Sequence, residues 1–67
     1  MEITLNGQVR NLVKSPVSVH DFVASLDIGE APVLVELNGE AVLTREFSER
    51  IISDGDVIEV IRMVAGG

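Results

Sequence analysis

Two Asn-Gly dipeptides constrain the fold of this chain more than any other feature, because each predicts a tight β-hairpin turn. Asn6-Gly7 follows residues 1–5, in which apolar and polar side chains alternate. Asn38-Gly39 follows residues 33–37, a short run rich in Val and Leu. Both positions of such a turn require positive φ, which Asn and Gly tolerate. The sequence therefore predicts two antiparallel strand pairs. The first return strand, residues 8–13, breaks its alternation near Asn11, which predicts a bulge or a register break there.

The segment between the two hairpins predicts a short amphipathic helix. Ser18 is a typical N-cap residue, and Asp21 follows it at capping-box spacing. Gly29 is the predicted helix stop. The residues that form one apolar stripe at helical spacing are Val19, Phe22, Val23 and Leu26.

The second half of the chain predicts short elements and a last strand. Residues 41–42 form a short strand, and residues 44–50 form one helical or 3-10 turn, with Thr44 as its cap and Phe47 and Ile51 pointing inward. Residues 54–56, Asp-Gly-Asp, turn the chain into the last strand. A helix crossing between strands favours parallel pairing of later strands with the first strand. The fold class is therefore α+β, a mixed sheet of four to five strands with one main helix across one face and one short helix. This arrangement resembles the β-grasp fold of ubiquitin-like domains.

Composition limits the function classes. The chain has 67 residues, no cysteine and a net charge of −6. The charge disfavours nucleic acid and anionic membranes as partners, and only two aromatic residues are present for base stacking. A lone histidine, His20, makes a zinc site improbable, and no Ser-His-Asp or Cys-His set is available. The chain is expected to be a substrate of enzymes rather than an enzyme. Without an apolar run of about 18 residues or a signal peptide, the expected compartment is the cytoplasm.

The last strand and the residues after it form the candidate functional site. Ile58 and Val60 share one face, so a helix covering that face leaves Ile61 and Met63 exposed as a docking surface. The last two residues are Gly66-Gly67, which contribute nothing to a core. A glycine end is slim enough to thread a narrow channel of another protein. We therefore expect a folded domain over residues 1–63 and a flexible tail over residues 64–67, with Val64, Ala65 and Gly66 as threading residues and Gly67 as the reacting residue.

The order of these motifs resembles the ThiS family of sulfur carriers in thiamine biosynthesis. The resemblance covers nearly the whole chain. The stretches that carry it are residues 1–7 (MEITLNG), residues 35–40 (VELNGE), Arg45 ahead of an apolar-aromatic turn, residues 54–56 (DGD) and residues 64–67 (VAGG). One departure is Thr44, where ThiS chains often have proline before the arginine.

The resemblance implies a function and partners. Gly67 would be adenylated by an E1-like enzyme of the ThiF type, and sulfur from a cysteine desulfurase or sulfurtransferase would then replace AMP. The resulting thiocarboxylate would supply the thiazole ring at a thiazole synthase of the ThiG type. No cofactor would be bound, since Gly67 carries AMP and then sulfur only transiently. The alternatives are a MoaD-like carrier for molybdopterin or another pathway, a ubiquitin-like interaction module with an inert tail, and a protein modifier that joins Gly67 to lysine.

Overall fold

The computed structural model describes residues 1–13, 16–28 and 32–63. Within these ranges the structure contains seven short strands and two helical segments. In chain order they are β1 (Glu2–Leu5), β2 (Gln8–Asn11), β3 (Val17–Ser18), α1 (Val19–Ser25), β4 (Val33–Leu37), β5 (Glu40–Val42), a 3-10 turn (Thr44–Glu46), β6 (Ile51–Ile52) and β7 (Val57–Arg62).

A five-stranded mixed sheet is the main layer, with the strand order β2-β1-β7-β4-β5. β1 and β7 are parallel, and the other neighbours are antiparallel. The last strand of the chain therefore lies at the centre of the sheet, between β1 and β4. The predicted mixed sheet is confirmed, and the predicted parallel pairing of later strands with the first is found for β7, while β4 and β5 do not pair with β1.

Both Asn-Gly turns form as predicted. Asn6 and Gly7 have φ of 50° and 82°, and Asn38 and Gly39 have φ of 53° and 82°. These positive values are those of type I′ hairpin turns, whose twist matches that of the strands they join. The predicted bulge near Asn11 is wrong, because the β1–β2 register continues without a break from Leu5↔Gln8 to Glu2↔Asn11. The alternation is imperfect because an apolar residue of β2, Val9, is on the exposed side of the sheet.

The helix begins where predicted and ends earlier. The Ser18 side chain accepts a hydrogen bond from the backbone N–H of Asp21 at 3.0 Å, which confirms Ser18 as the N-cap. The helix ends at Ser25, and the positive φ that reverses the chain belongs to Asp27, at 56°. The predicted stop at Gly29 is therefore wrong. Asp adopts positive φ more readily than most residues with a Cβ, because its short polar side chain can form hydrogen bonds with the nearby backbone. Gly29 itself lies outside the described residues.

A two-stranded sheet of β3 and β6, which the sequence did not predict, closes the end of the core near the helix N-terminus. Its register pairs Val17 with Ile52 and Ser18 with Ile51. Because side chains alternate along a strand, only one of the two adjacent isoleucines can face inward. Ile52 is fully buried and Ile51 is 46% exposed, so the prediction that Ile51 points inward is wrong.

The 3-10 turn is present in the predicted segment, with a different cap. Leu43 precedes it, and the Glu46 carboxylate accepts the Leu43 backbone N–H at 3.1 Å. Thr44 is the first residue of the turn rather than its cap. Phe47 is buried as predicted. The backbone carbonyl of Phe47 accepts the N–H of His20 at 3.0 Å, so this segment also completes the hydrogen bonds of the helix N-terminus.

The core lies between the helix and one face of the sheet. α1 contributes Val19 and Phe22. The other buried hydrophobic residues are Ile3, Leu5, Val35, Leu37, Val42, Phe47, Ile52 and Ile58. In the described ranges the last of them along the chain is Ile58, and after it in β7 only Val60 is partly buried against the core. The opposite face of the sheet is the outer face, and β7 runs along its middle.

Candidate functional site

The two faces of β7 differ as the sequence predicts. Ile58 is fully buried and Val60 is half-buried, so this face packs on the core below the helix. Ile61 and Met63 are 48% and 46% exposed. A helix on one side of a sheet leaves the other side to solvent, which is why alternate residues of one strand separate so clearly. The predicted exposure of Ile61 and Met63 is confirmed.

A third apolar residue, Leu34, joins them on the outer face. The antiparallel register places Leu34 of β4 directly opposite Ile61 of β7, and Leu34 is 54% exposed. We call Leu34, Ile61 and Met63 the outer patch. Sequence reasoning missed Leu34 because four of the five residues of β4 are apolar, which hides the alternation. The side chains of a strand alternate between its two faces, so Leu34 must face away from Val35 and Leu37, which are both buried. This alternation is the feature of the sequence that could have identified Leu34.

The outer face also carries two carboxylates beside the outer patch. Glu36 of β4 and Glu59 of β7 form a cross-strand pair two residues along each strand from the Leu34–Ile61 pair. They therefore lie on the same face of the sheet as that pair. Glu59 is exposed and Glu36 is half-buried. The combination of an apolar group and adjacent carboxylates suits a protein surface that offers apolar and cationic side chains.

The backbone remains attached to the sheet up to Met63. The Met63 N–H donates to the carbonyl oxygen of Pro32 at 2.8 Å, one position beyond Val33–Arg62, the last pair of the β4–β7 register. The predicted tail, Val64, Ala65, Gly66 and Gly67, lies outside the described residues. By sequence, Gly67 is four residues beyond Met63, which corresponds to a reach of about 13 Å for an extended chain.

The asparagines of both hairpin turns bind β7 through their side chains. The Asn6 Oδ1 accepts the Val60 N–H at 2.9 Å, and the Asn6 Nδ2 donates to the Val60 carbonyl at 3.3 Å. At the other end of the strand, the Asn38 Oδ1 accepts the Val57 N–H at 2.9 Å, and the Asn38 Nδ2 donates to the Asp56 carboxylate at 3.1 Å. Two residues suited to their turn conformation thus also fix the strand between them.

The Asp-Gly-Asp segment before β7 is a turn, as predicted, and its carboxylates accept backbone hydrogen bonds. The Asp54 Oδ1 accepts the Glu2 N–H at 2.7 Å, and the Asp56 Oδ2 accepts the Ser53 N–H at 2.8 Å. Gly55 has a φ of 87°, which residues with a Cβ rarely adopt. These carboxylates are therefore occupied in holding the start of β7.

Other chemistry-bearing side chains do not gather near the outer patch. His20 is exposed on the first turn of the helix, where its Nδ1 lies 3.3 Å from an Asp21 carboxylate oxygen. Across the three described ranges, no three His, Cys, Asp or Glu side chains come together in a way that could hold a metal ion. Among the same residues, no helix has the length and apolar character that crossing a membrane requires.

Comparison with known proteins agrees with this architecture. The sulfur carrier protein ThiS of Bacillus subtilis (strain 168) is 32% identical over 65 residues, which are 97% of this chain and 98% of that protein. The crystal structure of a thiamine biosynthesis protein (ThiS) from Geobacter metallireducens superposes with a TM-score of 0.87 at 30% identity, over the whole of both chains. The name sulfur carrier protein describes a carrier rather than an enzyme, as the sequence predicted for this chain.

A third relative is of a different size. A thiazole synthase of Paramagnetospirillum magneticum (strain ATCC 700264 / AMB-1) is 30% identical over all 67 residues, and this chain spans only 20% of its length. The model of the ThiS family matches residues 3–67, so the match includes the central strand, the outer patch and Gly67 itself. With nearly every residue matched and the β-grasp fold shared with a solved member, the chain belongs to the ThiS family.

Proposed function

We propose that this chain is a sulfur carrier whose Gly67 carboxylate is the chemically active group. The observation that carries the proposal is that the family match extends through Gly67. The folded part supports it, because the backbone is hydrogen-bonded up to Met63 and, within the described ranges, the last residue buried in the core is Ile58. In this proposal the four residues after Met63 carry the chemistry into a partner's active site.

A carboxylate needs activation before it can accept sulfur. An E1-like adenylating enzyme joins the Gly67 carboxylate oxygen to the α-phosphorus of ATP, and pyrophosphate leaves. The terminal sulfur of a persulfide on a cysteine desulfurase or sulfurtransferase then attacks the acyl carbon and displaces AMP, which gives an acyl disulfide. A thiol reductant cleaves the S–S bond of this intermediate and is itself oxidised to a disulfide with the enzyme cysteine. The product is a thiocarboxylate, in which one oxygen of Gly67 is replaced by sulfur. Gly66 and Gly67 suit this chemistry because they lack a Cβ and leave room for two successive partners to surround the acyl carbon.

The outer patch is the surface on which the adenylating enzyme docks in this proposal. Leu34, Ile61 and Met63 are about half exposed and lie at the end of β7 that precedes residues 64–67 in sequence. Glu36 and Glu59 adjoin them and favour a partner with cationic side chains around an apolar centre. Val64 and Ala65 then follow the partner's channel toward its ATP site.

The sulfur acceptor is a thiazole synthase in this proposal. The supporting observation is that a thiazole synthase contains a stretch similar to the whole of this chain. A carrier-like sequence within a thiazole synthase polypeptide suggests that such a carrier interacts with thiazole synthase. In this proposal the sulfur is therefore incorporated into the thiazole ring of thiamine. The compartment that we propose for this reaction is the cytoplasm, which supplies both ATP and cysteine.

The direct test is the intact mass of the full chain after incubation with the adenylating enzyme, ATP, cysteine and a cysteine desulfurase. Exchange of oxygen for sulfur adds about 16 Da. A matched control carries one additional alanine after Gly67, which moves the carboxylate without altering residues 1–63. We expect the mass gain in the native chain and none in the control. Mass gain in both, or in neither, would refute the role of Gly67.

Each alternative function predicts a different result in one further measurement. A protein modifier would give adducts with lysine of other proteins, detected as species of higher mass. An interaction module with an inert tail would bind its partner equally well without Gly66 and Gly67. A MoaD-like carrier would form the thiocarboxylate and pass its sulfur to a molybdopterin synthase subunit instead of to thiazole synthase. Single-turnover transfer of sulfur from the purified thiocarboxylate, measured separately with thiazole synthase and with the molybdopterin synthase subunit, shows which of the two is the acceptor.

A further inference from the structure

The central strand continues beyond the end of its parallel neighbour. The β1–β7 register pairs Thr4 with Val57 and Leu5 with Ile58, and the Asn6 N–H donates to the Ile58 carbonyl at 3.0 Å. At Asn6 the chain turns away into β2. A parallel ladder needs the next residues of β1 to satisfy the backbone groups of Val60, and the main chain of β1 no longer supplies them.

The side chain of Asn6 supplies both missing hydrogen bonds. Its Oδ1 accepts the Val60 N–H at 2.9 Å, and its Nδ2 donates to the Val60 carbonyl at 3.3 Å. A primary amide has the same donor and acceptor groups as a peptide unit, so it can extend the ladder in place of a strand. The two residues are 54 positions apart in sequence, so this contact exists only in the folded sheet.

We propose that Asn6 is a positioning residue for the transfer chemistry at Gly67. This inference rests on the sulfur-carrier function proposed above. Val60 is the last residue of β7 bound on the β1 side within the described ranges, and the outer patch residues Ile61 and Met63 follow at once. Without the Asn6 amide, the end of β7 would be held by β4 alone, through the Leu34–Ile61 pair and the Met63–Pro32 hydrogen bond.

The consequence concerns geometry at the partner. The outer patch and the backbone of Met63, to which the tail is attached, are held rigidly together only if the end of β7 is fixed on both sides. Docking on Ile61 and Met63 then aims the tail at the partner's channel. A looser strand end would spread the tail over many directions, so productive encounters would be fewer although the docking residues are unchanged.

Asn38 provides a matched control on the same strand. It occupies the same position of the same turn type, with φ of 53° against 50° for Asn6. Its side chain also makes two hydrogen bonds, and they lie at the start of β7, far from the tail in sequence. Glycine at either position keeps the positive φ and removes only the amide. Asn6→Gly and Asn38→Gly therefore perturb comparable interactions at opposite ends of one strand.

The experiment measures the two variants and the native chain in two assays. Backbone amide hydrogen exchange by NMR reports local opening at Val60 and Val57. Adenylation is followed by pyrophosphate release, with kcat and KM determined against carrier concentration. We expect exchange at Val60 to rise about tenfold in Asn6→Gly only, since two hydrogen bonds to one residue are lost. We also expect kcat/KM to fall at least about fivefold in Asn6→Gly relative to Asn38→Gly.

The outcomes separate this inference from the function on which it rests. If the native chain is adenylated and the two variants have equal kcat/KM, Asn6 serves only the fold and the positioning role is refuted. The role is also refuted if exchange at Val60 does not change in Asn6→Gly. If the native chain is not adenylated at all, the proposed function fails, and the positioning role fails with it, whatever the exchange rates show. A loss in Asn6→Gly that persists when the folded fraction of each variant is equal supports the inference.

Discussion

Glu36 and Glu59 lie directly opposite each other on adjacent antiparallel strands, on the same exposed face of the sheet. Among the described residues, neither forms an ion pair. Side chains in such a pair are close neighbours, and like charges at this position oppose folding. The repulsion between these two carboxylates beside the outer patch lowers the stability of the free protein. A cationic side chain of a bound partner would neutralise that repulsion.

The first prediction concerns this pair of carboxylates. Replacing one of them, in Glu59→Gln, should raise the free energy of unfolding by about 0.5 kcal/mol at low ionic strength, because the repulsion is lost. Urea denaturation measures the change. Glu49→Gln is the control, since it removes one exposed negative charge that faces no carboxylate across a strand. Equal stabilisation by both variants would indicate that net charge, rather than the pair, is responsible.

The second prediction concerns the outer patch. Ile61→Ala should raise KM for adenylation about tenfold, because it removes apolar contact area at the centre of the proposed interface. Val57→Ala is matched to it, since Val57 is on the same face of the same strand and is 47% exposed against 48% for Ile61. Both variants should unfold at nearly the same denaturant concentration. Similar KM values for the two would place the docking surface elsewhere.

The third prediction contrasts the two faces of β7. Ile58→Ala should destabilise the fold by about 3 kcal/mol, since Ile58 is fully buried and truncation leaves a cavity. Ile61→Ala on the opposite face should cost under about 1 kcal/mol. Thermal unfolding of the two variants tests the assignment of faces without any partner protein. A larger loss at Ile61 than at Ile58 would contradict it.

The fourth prediction addresses the glycine end. Gly66→Val should abolish formation of the thiocarboxylate, because a branched side chain obstructs a channel built for glycine. The melting temperature should stay within about 1 °C of the native value, since position 66 lies beyond every buried core residue of the described ranges. Mass spectrometry detects the product. A variant that still gains sulfur at the native rate would show that the channel tolerates a side chain at position 66.

The fifth prediction concerns the helix start. Ser18→Ala should lower the free energy of unfolding by about 1 kcal/mol, because the Asp21 N–H loses its acceptor. Ser48→Ala, an exposed serine in the turn after the 3-10 segment, is the control and should change stability little. For adenylation, kcat and KM of the folded fraction should match those of the native chain, since the cap lies in the helix layer and not on the outer face.

Local signals made most of the fold predictable. The Asn-Gly turns, the Ser18 cap and the alternation in the last strand each depend on residues within a few positions of one another, and all were confirmed. The end of the helix was missed because Asp27 took the positive φ that glycine usually takes. Ile51 was assigned to the core instead of Ile52 because the β3–β6 pairing that sets their orientation joins segments far apart in the chain.

The candidate site was predictable in part for the same reason. Ile61 and Met63 could be assigned from the parity of one strand, whereas Leu34 required the register between two strands. The contact of Asn6 with Val60 could not be predicted, since the turn signal fully accounts for an asparagine at that position and conceals its second role. The role of Gly67 came from its chemistry and from family resemblance, and it remains a proposal.

The hydrogen bond from Met63 to Pro32 fixes the last described residue of the chain to the sheet. If Gly67 is the reacting residue, as we propose, four residues separate its acyl carbon from this anchor, a span of at most about 13 Å. Each enzyme that acts on Gly67 is then expected to hold its catalytic atoms within that distance of the surface on which the carrier docks. This upper limit on the depth of the active site applies to all such partners, even where their folds are unrelated.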